Sequence, residues 1–572
     1  MCGIFGAVTE KGLKAADMDN AEFSLRHRGP DGRGRRSFIA ARGNVLDLVH
    51  LRLAVIDLSP DAAQPMSYDN DNLHIVYNGE IYNYIELREQ LSGEGFVFKT
   101  RSDTEVILAS YKQWGPGCVE RFNGDWAFCI FDKPDNRLIF SRDRLGVKPL
   151  YYCRNEQGFF FASEIKALFQ LPSIRRGWDR DITGTFMLFG ISDFSKRTMY
   201  EGIYQLEPAF NMVLDMASLE AHSYRYWDPG FNKSMEPFRT SMVSEYARGV
   251  DDILRDSVRI RLRSDVPVGT CLSGGIDSSA VTGIISRLMA GHCKESDILN
   301  GRQKTFTAAY KDSNINETKW ADIMIRYAGA DGEYVYPTEA GLFEDLGLFL
   351  STHDELSFST SSYAQFAVMR RASRDVKVVL DGQGADELFA GYGHYRKNLS
   401  KFILSLMPAA ITRMAWAGKV RIIEHMLGGR FDLDFALDII RQKYRPCLNE
   451  SLYNDTTRFN LQQLLRYEDR NSMCFGIESR APFTDYRLVE YVLNMPAAYK
   501  IHGGWAKYIL RMSLDEHVPQ QIIWRRDKIG FQTPEKSWLP DIGGFNDLVR
   551  KYKGRYNGDY FWWRAFNLSR LN

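Results

Sequence analysis

Short apolar runs broken by Gly, Asp, Asn and Pro dominate the first third of the chain. LRLAVIDL (51–58), LHIVYNGEIY (73–82), WAFCIFD (126–132), RLIFSRD (137–143) and GFFFASEI (158–165) have strand length and turn residues at their ends, so this part reads as β-rich. Between them, YIELREQLSGEG (84–95) has the amphipathic spacing and closing glycines of a helix. Around 225–240 the text turns polar and proline-punctuated, as a linker does. Beyond it the rhythm becomes strand, loop, helix. VPVGTCL (266–272), KTFTAAY (304–310) and VKVVL (376–380) read as buried strands, with SAVTGIISRLM and YAQFAVMRRAS (363–373) as helices between them. Strands alternating with helices imply a parallel sheet. The stretch 396–465 reads as mostly helical, and the closing DYFWWRAFNLSRLN as a helix that packs its aromatics on a core.

At 572 residues the chain is too long for one core and suggests two to four domains. Lys plus Arg number 73 against 72 Asp plus Glu, a balance that argues against a dedicated nucleic-acid binder. No apolar run approaches a membrane-spanning length, and the mean hydropathy of −0.33 agrees. No secretory signal is visible at the N-terminus. The eight cysteines include no C-x-x-C pair, so they give neither a disulfide framework nor a zinc site. A soluble, cytoplasmic protein without a membrane span is the expectation.

Cys2 is the first residue with a chemical reading. A small buried thiol is the bland alternative. If the initiator Met1 is removed, however, Cys2 carries both a thiol and a free α-amine. That amine has a reference pKa of about 8 and can take the thiol's proton, as in N-terminal nucleophiles. MCGIFG, RHRGPDG (26–32), HLRLAVIDLS (50–59), YNGEIYN (77–83) and SDTEV (102–106) follow in order. Together they resemble the class II glutamine amidotransferases. The resemblance implies that Cys2 attacks the glutamine side-chain amide, releasing ammonia and leaving a thioester that water hydrolyses. It places the oxyanion donors on Asn78 and Gly79, the glutamine α-carboxylate on Arg52, and the α-ammonium on Asp103 with Glu80 close by. Taken singly, Arg52 reads as a surface ion pair and Asp103 as a helix cap. RHRGPDGRGRR reads as a loop near the glutamine pocket, with solvated arginines at 33, 35 and 36.

In the second half, Ser273-Gly274-Gly275-Ile276-Asp277-Ser278 lies between a strand and a helix. Converging backbone N–H groups, a helix N-terminus and serine hydroxyls suit a phosphate there. No Walker sequence occurs. SGGIDSS resembles the PP-loop of ATP pyrophosphatases, which cleave ATP between the α- and β-phosphates to make an adenylate. A second acidic turn, Asp381-Gly382-Gln383-Gly384-Ala385-Asp386-Glu387, follows another strand. Ligands gather beyond the carboxyl ends of parallel strands, so Asp277 and Asp386 pair as Mg²⁺ ligands, with helix capping as the bland reading.

LSGGIDSS, LDGQGADELFAGY, RYEDRNSM (466–473), ESRAPFTD (478–485), AKYILR (506–511) and RRDKIGFQTP (525–534) together resemble the synthetase half of glutamine-dependent asparagine synthetase. The resemblance spans nearly the whole chain. It implies an N-terminal-nucleophile αββα sandwich at 2–215, a linker at 216–240, a Rossmann-like PP-loop domain at 241–540 and a helical tail at 541–572. It also implies ATP and Mg²⁺ as cofactors, small-molecule substrates, and an internal ammonia channel; a homodimer is compatible with it. Lys507 would neutralise the leaving pyrophosphate. Leu272, Ala308, Asp381 and Gly382 would contact the nucleotide beside Ser273, Gly274, Gly275, Asp277 and Ser278. Arg526 and Lys528 are further phosphate candidates.

One departure stands out. Where the family typically reads Ser-Gly-Glu-Gly, this chain has Asp381-Gly382-Gln383-Gly384. An amide cannot accept a proton as a carboxylate does, so Gln383 implies another base or another acceptor. Aspartate is the default acceptor, with a sugar uronate or a cell-envelope acid as the alternative. A β-lactam-synthetase-like ligase would not keep the glutaminase residues, and a silent ATP-binding scaffold would have lost one constellation.

Overall fold

Strand alternation in the first half is resolved by pairing two sheets face to face. In this computed structural model, which describes every residue except 41–42, 235, 311–315, 398–405, 407, 528–531 and 572, each of these sheets has six strands. The first sheet runs Tyr204–Gln205, Tyr151–Asn155, Gly158–Ala162, Gly3–Thr9, Val45–Arg52, Gly32–Ile39, all antiparallel. The second runs Ala221–Arg225, Phe210–Asp215, Arg137–Arg142, Gly124–Asp132, Leu73–Ile81, Met66–Tyr68, again antiparallel. Alternate residues such as Ile4, Val8, Leu48, Val76, Cys129, Phe140 and Phe161 form the layer between the sheets. Helices Tyr84–Gly93 and Asp103–Trp114 cover the outer face of the second sheet, and Ala15–Leu25 that of the first. The result is an αββα sandwich.

The second half is built on a five-stranded parallel sheet in the order Asp331–Val335, Lys304–Ala308, Val268–Cys271, Val378–Leu380, Glu478–Arg480. Crossover helices include Ile276–Ala290, Thr318–Ala328 and Ser361–Ala372. The order reverses at Val268–Cys271, so a crevice opens at its carboxyl end. Among the described residues no helix is long and apolar enough to cross a membrane.

Several sequence expectations change here. Strand pairing stops at Arg52, and 53–58 leave the sheet because Leu53, Val55 and Ile56 pack instead into the core around Leu254, Val268 and Leu272. The arginine-rich 32–39 form an edge strand rather than a loop. There Arg35 pairs with Glu22 and Asp19, which keeps the edge charged. Ala221–Arg225, inside the stretch read as linker, is the outer strand of the second sheet, so the chain leaves the sandwich only after Arg225. One expectation holds: the helix Tyr560–Leu571 buries Trp562, Trp563 and Phe566 among Ile182, Phe186 and Leu433, packing its aromatics on a core as the closing sequence predicts.

Candidate functional site

Two separate sites form. The first lies at the edge of the sandwich, where Gly3–Thr9 brings Cys2 beside the strand Leu73–Ile81. The Cys2 backbone N–H donates to Asn78 Oδ1 at 2.9 Å. Asn78 is fully buried, and its Nδ2 has no hydrogen-bond partner among the described residues, a donor held ready for an anion. At Gly79 a Cβ would come within 2.2 Å of the Asp125 carbonyl, so only glycine lets the strand pass there. Burial raises the Cys2 thiol pKa, an effect partly countered by the positive chain terminus.

Arg52, Gly79, Glu80 and Asp103 line the same small cavity. Asp103 is not the helix cap: Ser102 caps the helix, its side chain accepting from Glu105 N. The Asp103 carboxylate turns inward instead, accepting from Tyr77 Oη at 2.8 Å and Ile81 N at 3.0 Å. Burial raises it to about 6. Glu80 is pushed up as well, first by burial and then by Asp103. Arg52 turns its guanidinium to the Ser59 carbonyl at 2.7 Å and to the Asp57 carbonyl.

The cavity holds only about 30 Å³, room for a water or two and not for a glutamine side chain. Met1 fills the rest. Its side chain is buried and its ammonium sits 2.9 Å from Glu478 Oε2. Removing Met1 would therefore both free the Cys2 amine and open the pocket.

Glu478 belongs to the other half of the chain, and it is not alone there. Arg480 donates to Glu478 Oε1 at 2.6 Å and approaches Glu80 at 3.6 Å. Arg28 donates through Nε to the Cys2 carbonyl at 3.0 Å, and through its two terminal nitrogens to both oxygens of Asp469. Arg28, Asp469, Glu478 and Arg480 all lie inside the quoted motifs. Their spacing gives no sign that they meet, because the contacts join residues hundreds of positions apart.

The second site is a cleft of about 610 Å³ beyond the parallel strands. Leu272, Ser273, Asp277, Ser278, Ala308, Asp381, Gly382, Gln383 and Asp386 line it. Gly274 and Gly275 shape the turn behind it. Gly274 has φ +76°, and a Cβ there would strike Ala321 N at 2.5 Å. Ser278 Oγ accepts from Ser273 N at 3.1 Å, tightening the loop at the start of the helix. Gly382 packs against Asp277, leaving 2.8 Å for any Cβ, so the two loops touch.

Lys507 joins them. Its Nζ lies 2.5 Å from Asp277 Oδ1 and 2.5 Å from Asp386 Oδ1. The residue is buried in a left-handed conformation, φ +54°, a strain usually met at functional positions. Its ammonium marks a point where two carboxylates converge on one cation. Two carboxylates beside a phosphate-type loop also match what Mg²⁺ takes from proteins, so the residues fit that ion. Arg526 does not enter the cleft but is exposed and stacks on Trp505. Its neighbour Arg525 is the buried one, donating to the Gly274 carbonyl at 2.8 Å. Lys528 lies outside the described residues.

Comparison with known proteins agrees with this layout. The model of a glutamine amidotransferase domain matches residues 1–227, and that of asparagine synthase matches 249–556. Asparagine synthetase [glutamine-hydrolyzing] 3 of Bacillus subtilis is 32% identical, covering 97% of this chain and 90% of its own. Asparagine synthetase [glutamine-hydrolyzing] 1 of the same organism is 27% identical over 96% and 89%. Amidase chry2 of Gibberella zeae is 28% identical over 94% and 90%.

Proposed function

This chain belongs to the asparagine synthase family, a family of ATP-dependent, glutamine-hydrolysing amidotransferase ligases, and on that premise we propose how its two sites divide the work. Cys2, freed of Met1, attacks the glutamine amide carbon. Asn78 Nδ2 and the Gly79 N–H receive the oxyanion, while Arg52 and Asp103 with Glu80 hold the amino-acid end. In the second site Ser273 to Ser278, Asp381 and Gly382 hold ATP, with Leu272 and Ala308 beside the base. Asp277 and Asp386 would hold Mg²⁺, which would offset phosphate charge there. Lys507 stabilises the leaving pyrophosphate. A carboxylate acceptor becomes an adenylate, and ammonia displaces AMP to give the amide. L-Aspartate, giving L-asparagine, is the first acceptor we assign, and the cytoplasm the compartment.

The observation that carries this reading is the physical join between the sites. Arg28 grips the Cys2 carbonyl on one side and Asp469, on a helix of the synthetase half, on the other. Ammonia made at Cys2 and used beside Asp277 needs such a closed interface, since it is protonated and lost in bulk water. The apolar cluster of Leu53, Val55, Leu145, Val147, Val268 and Leu272 draws buried side chains from both halves, and a water-excluding route for ammonia would run along it.

One feature favours a second acceptor. The cleft wall away from the phosphate loop carries Ser359, Ser361, Ser362, Gln365, Gln463 and Tyr467, hydroxyl and amide groups suited to a polyhydroxylated acid such as a uronate. AMP release with glutamine, ATP and either aspartate or a panel of uronic acids decides between them. Release with a uronate and none with aspartate would reject the aspartate assignment. No release with any acid would reject amidation itself.

A further inference from the structure

Two carboxyls, Asp103 and Glu80, line the small glutaminase cavity, and both are buried. Like charges sharing one desolvated site resist ionising together, so one acid tends to carry the negative charge while the other keeps its proton. An α-ammonium bound there has to meet the ionised one. Hydrogen bonds decide which that is. Asp103 Oδ2 accepts twice, from Tyr77 Oη at 2.8 Å and from Ile81 N at 3.0 Å. Glu80 Oε1 has no hydrogen-bond partner among the described residues, and its Oε2 lies 3.6 Å from Arg480.

Tyr77 is the side-chain donor of this set. It sits within the strand Leu73–Ile81, is 2% exposed and lines the same cavity. Its N–H donates to Gln64 Oε1 at 2.7 Å, and its carbonyl lies 3.2 Å from His50 Nε2, so its backbone is pinned on both sides. The plain reading of Tyr77 is a core aromatic whose hydroxyl needs some acceptor. A backbone carbonyl would serve that need. Here the hydroxyl ends on a carboxylate of the glutamine pocket instead, and with Oδ2 taken twice, Oδ1 is the oxygen left for a ligand's N–H.

Resting on the glutaminase reading above, we infer that Tyr77 is a positioning residue for glutamine: its hydroxyl keeps the Asp103 carboxylate ionised and oriented to take the α-ammonium, while Glu80 stays protonated beside it. Burial raises both carboxyls, Glu80 well above the usual range and Asp103 only to about 6, where the Ile81 N–H and the Tyr77 hydroxyl oppose the rise. Arg52 shares the cavity, and Glu478 of the synthetase half and Tyr84 and Arg88 of the helix Tyr84–Gly93 also act on Asp103 or feel its charge. A tyrosine is thus part of the glutamine site through the charge it stabilises.

The test uses the full-length protein with Met1 removed, and reads glutamate release from glutamine between pH 5 and 8. Tyr77→Phe keeps the ring and deletes the donor. Its KM for glutamine at pH 7 should rise about tenfold, the size of one hydrogen bond to a charged group, with a much smaller change in kcat. The acid limb of KM should move to higher pH by about one unit, because the ionised carboxylate has lost a donor. In an Asp103→Asn background, adding Tyr77→Phe should change KM less than twofold, since the group it acts through is gone. An unchanged KM in Tyr77→Phe would overturn the proposal. So would a KM rise that leaves the acid limb in place and repeats in full on Asp103→Asn, the pattern of a packing defect. Wild type that releases no glutamate would instead sink the glutaminase reading, and this proposal with it.

Discussion

Arg28 and Asp469 form a bidentate pair, Nη1 to Oδ2 at 2.8 Å and Nη2 to Oδ1 at 2.9 Å, with both side chains almost fully buried. The third arm of the same guanidinium holds the Cys2 carbonyl, so the pair ties the nucleophile's backbone to the synthetase half. Glu164 adds a second carboxylate to Arg28 at 2.7 Å.

Breaking that pair by Asp469→Asn should lower unfolding stability by about 3 kcal/mol, the usual result of leaving a buried cation short of its partner. Glutamine hydrolysis should fall more than ammonium-supported synthesis. A double-mutant cycle with Arg28→Gln, read by chemical unfolding, checks the coupling. Additive losses would show that the two side chains act independently.

Replacing Cys2 with Ala removes the nucleophile only. Glutamine-dependent product should drop on the order of a thousandfold or more, while synthesis from ammonium salts persists. If both fall together in a folded variant, the nitrogen sources share one site and the division proposed here is wrong.

Asp277→Asn or Asp386→Asn removes one of the two carboxylates gathered at Lys507. AMP formation from either nitrogen source should fall about a hundredfold and need more Mg²⁺. Glutaminase turnover should survive. Unchanged synthesis in both variants would leave these aspartates as loop-shaping residues.

The Asp103 carboxyl titrates at about 6. It binds an ammonium only when ionised, so the KM for glutamine should rise about tenfold for each pH unit below that value. Ammonium-supported synthesis should lack this limb, and so should Asp103→Asn at its weaker affinity. The sign for stability is opposite. The folded carboxyl holds its proton more tightly than the unfolded one at 3.8, so this group favours folding at low pH, and that contribution is lost as pH rises to about 6. Glutamine KM measured from pH 5 to 8 reads the first effect directly.

Much of this architecture is legible in local patterning. Short apolar runs ended by turn residues, such as Leu73–Ile81 and Gly124–Asp132, mark the sandwich, and short apolar strands before SGGIDS and DGQGAD mark the parallel sheet. The run 53–58 misleads because apolar side chains look alike whether they face a sheet partner or another domain; here Leu53 and Val55 face the latter. The edge strand Gly32–Ile39 escapes notice because charged residues on both faces erase the alternation. Glu478 and Arg480 are invisible as glutaminase-side residues for a different reason. Their effect depends on a meeting across 477 positions of chain, between Met1 and Glu478, and no window of sequence contains it.

The three residues Glu478–Arg480 point alternately, Glu478 and Arg480 toward Met1 and Glu80, Ser479 toward Glu468. A short strand of the synthetase sheet is therefore a wall of the glutaminase cavity, with Glu478 lining it. This sets a limit on modularity. A glutaminase excised near residue 227, or grafted onto a foreign acyl-activating partner, would have one side of its substrate pocket missing. Chimaeras between distant relatives should tolerate a crossover in the connection around 228–242 only when the recipient carries its own matching carboxylate–guanidinium strand, which makes the two halves a unit of inheritance rather than interchangeable parts.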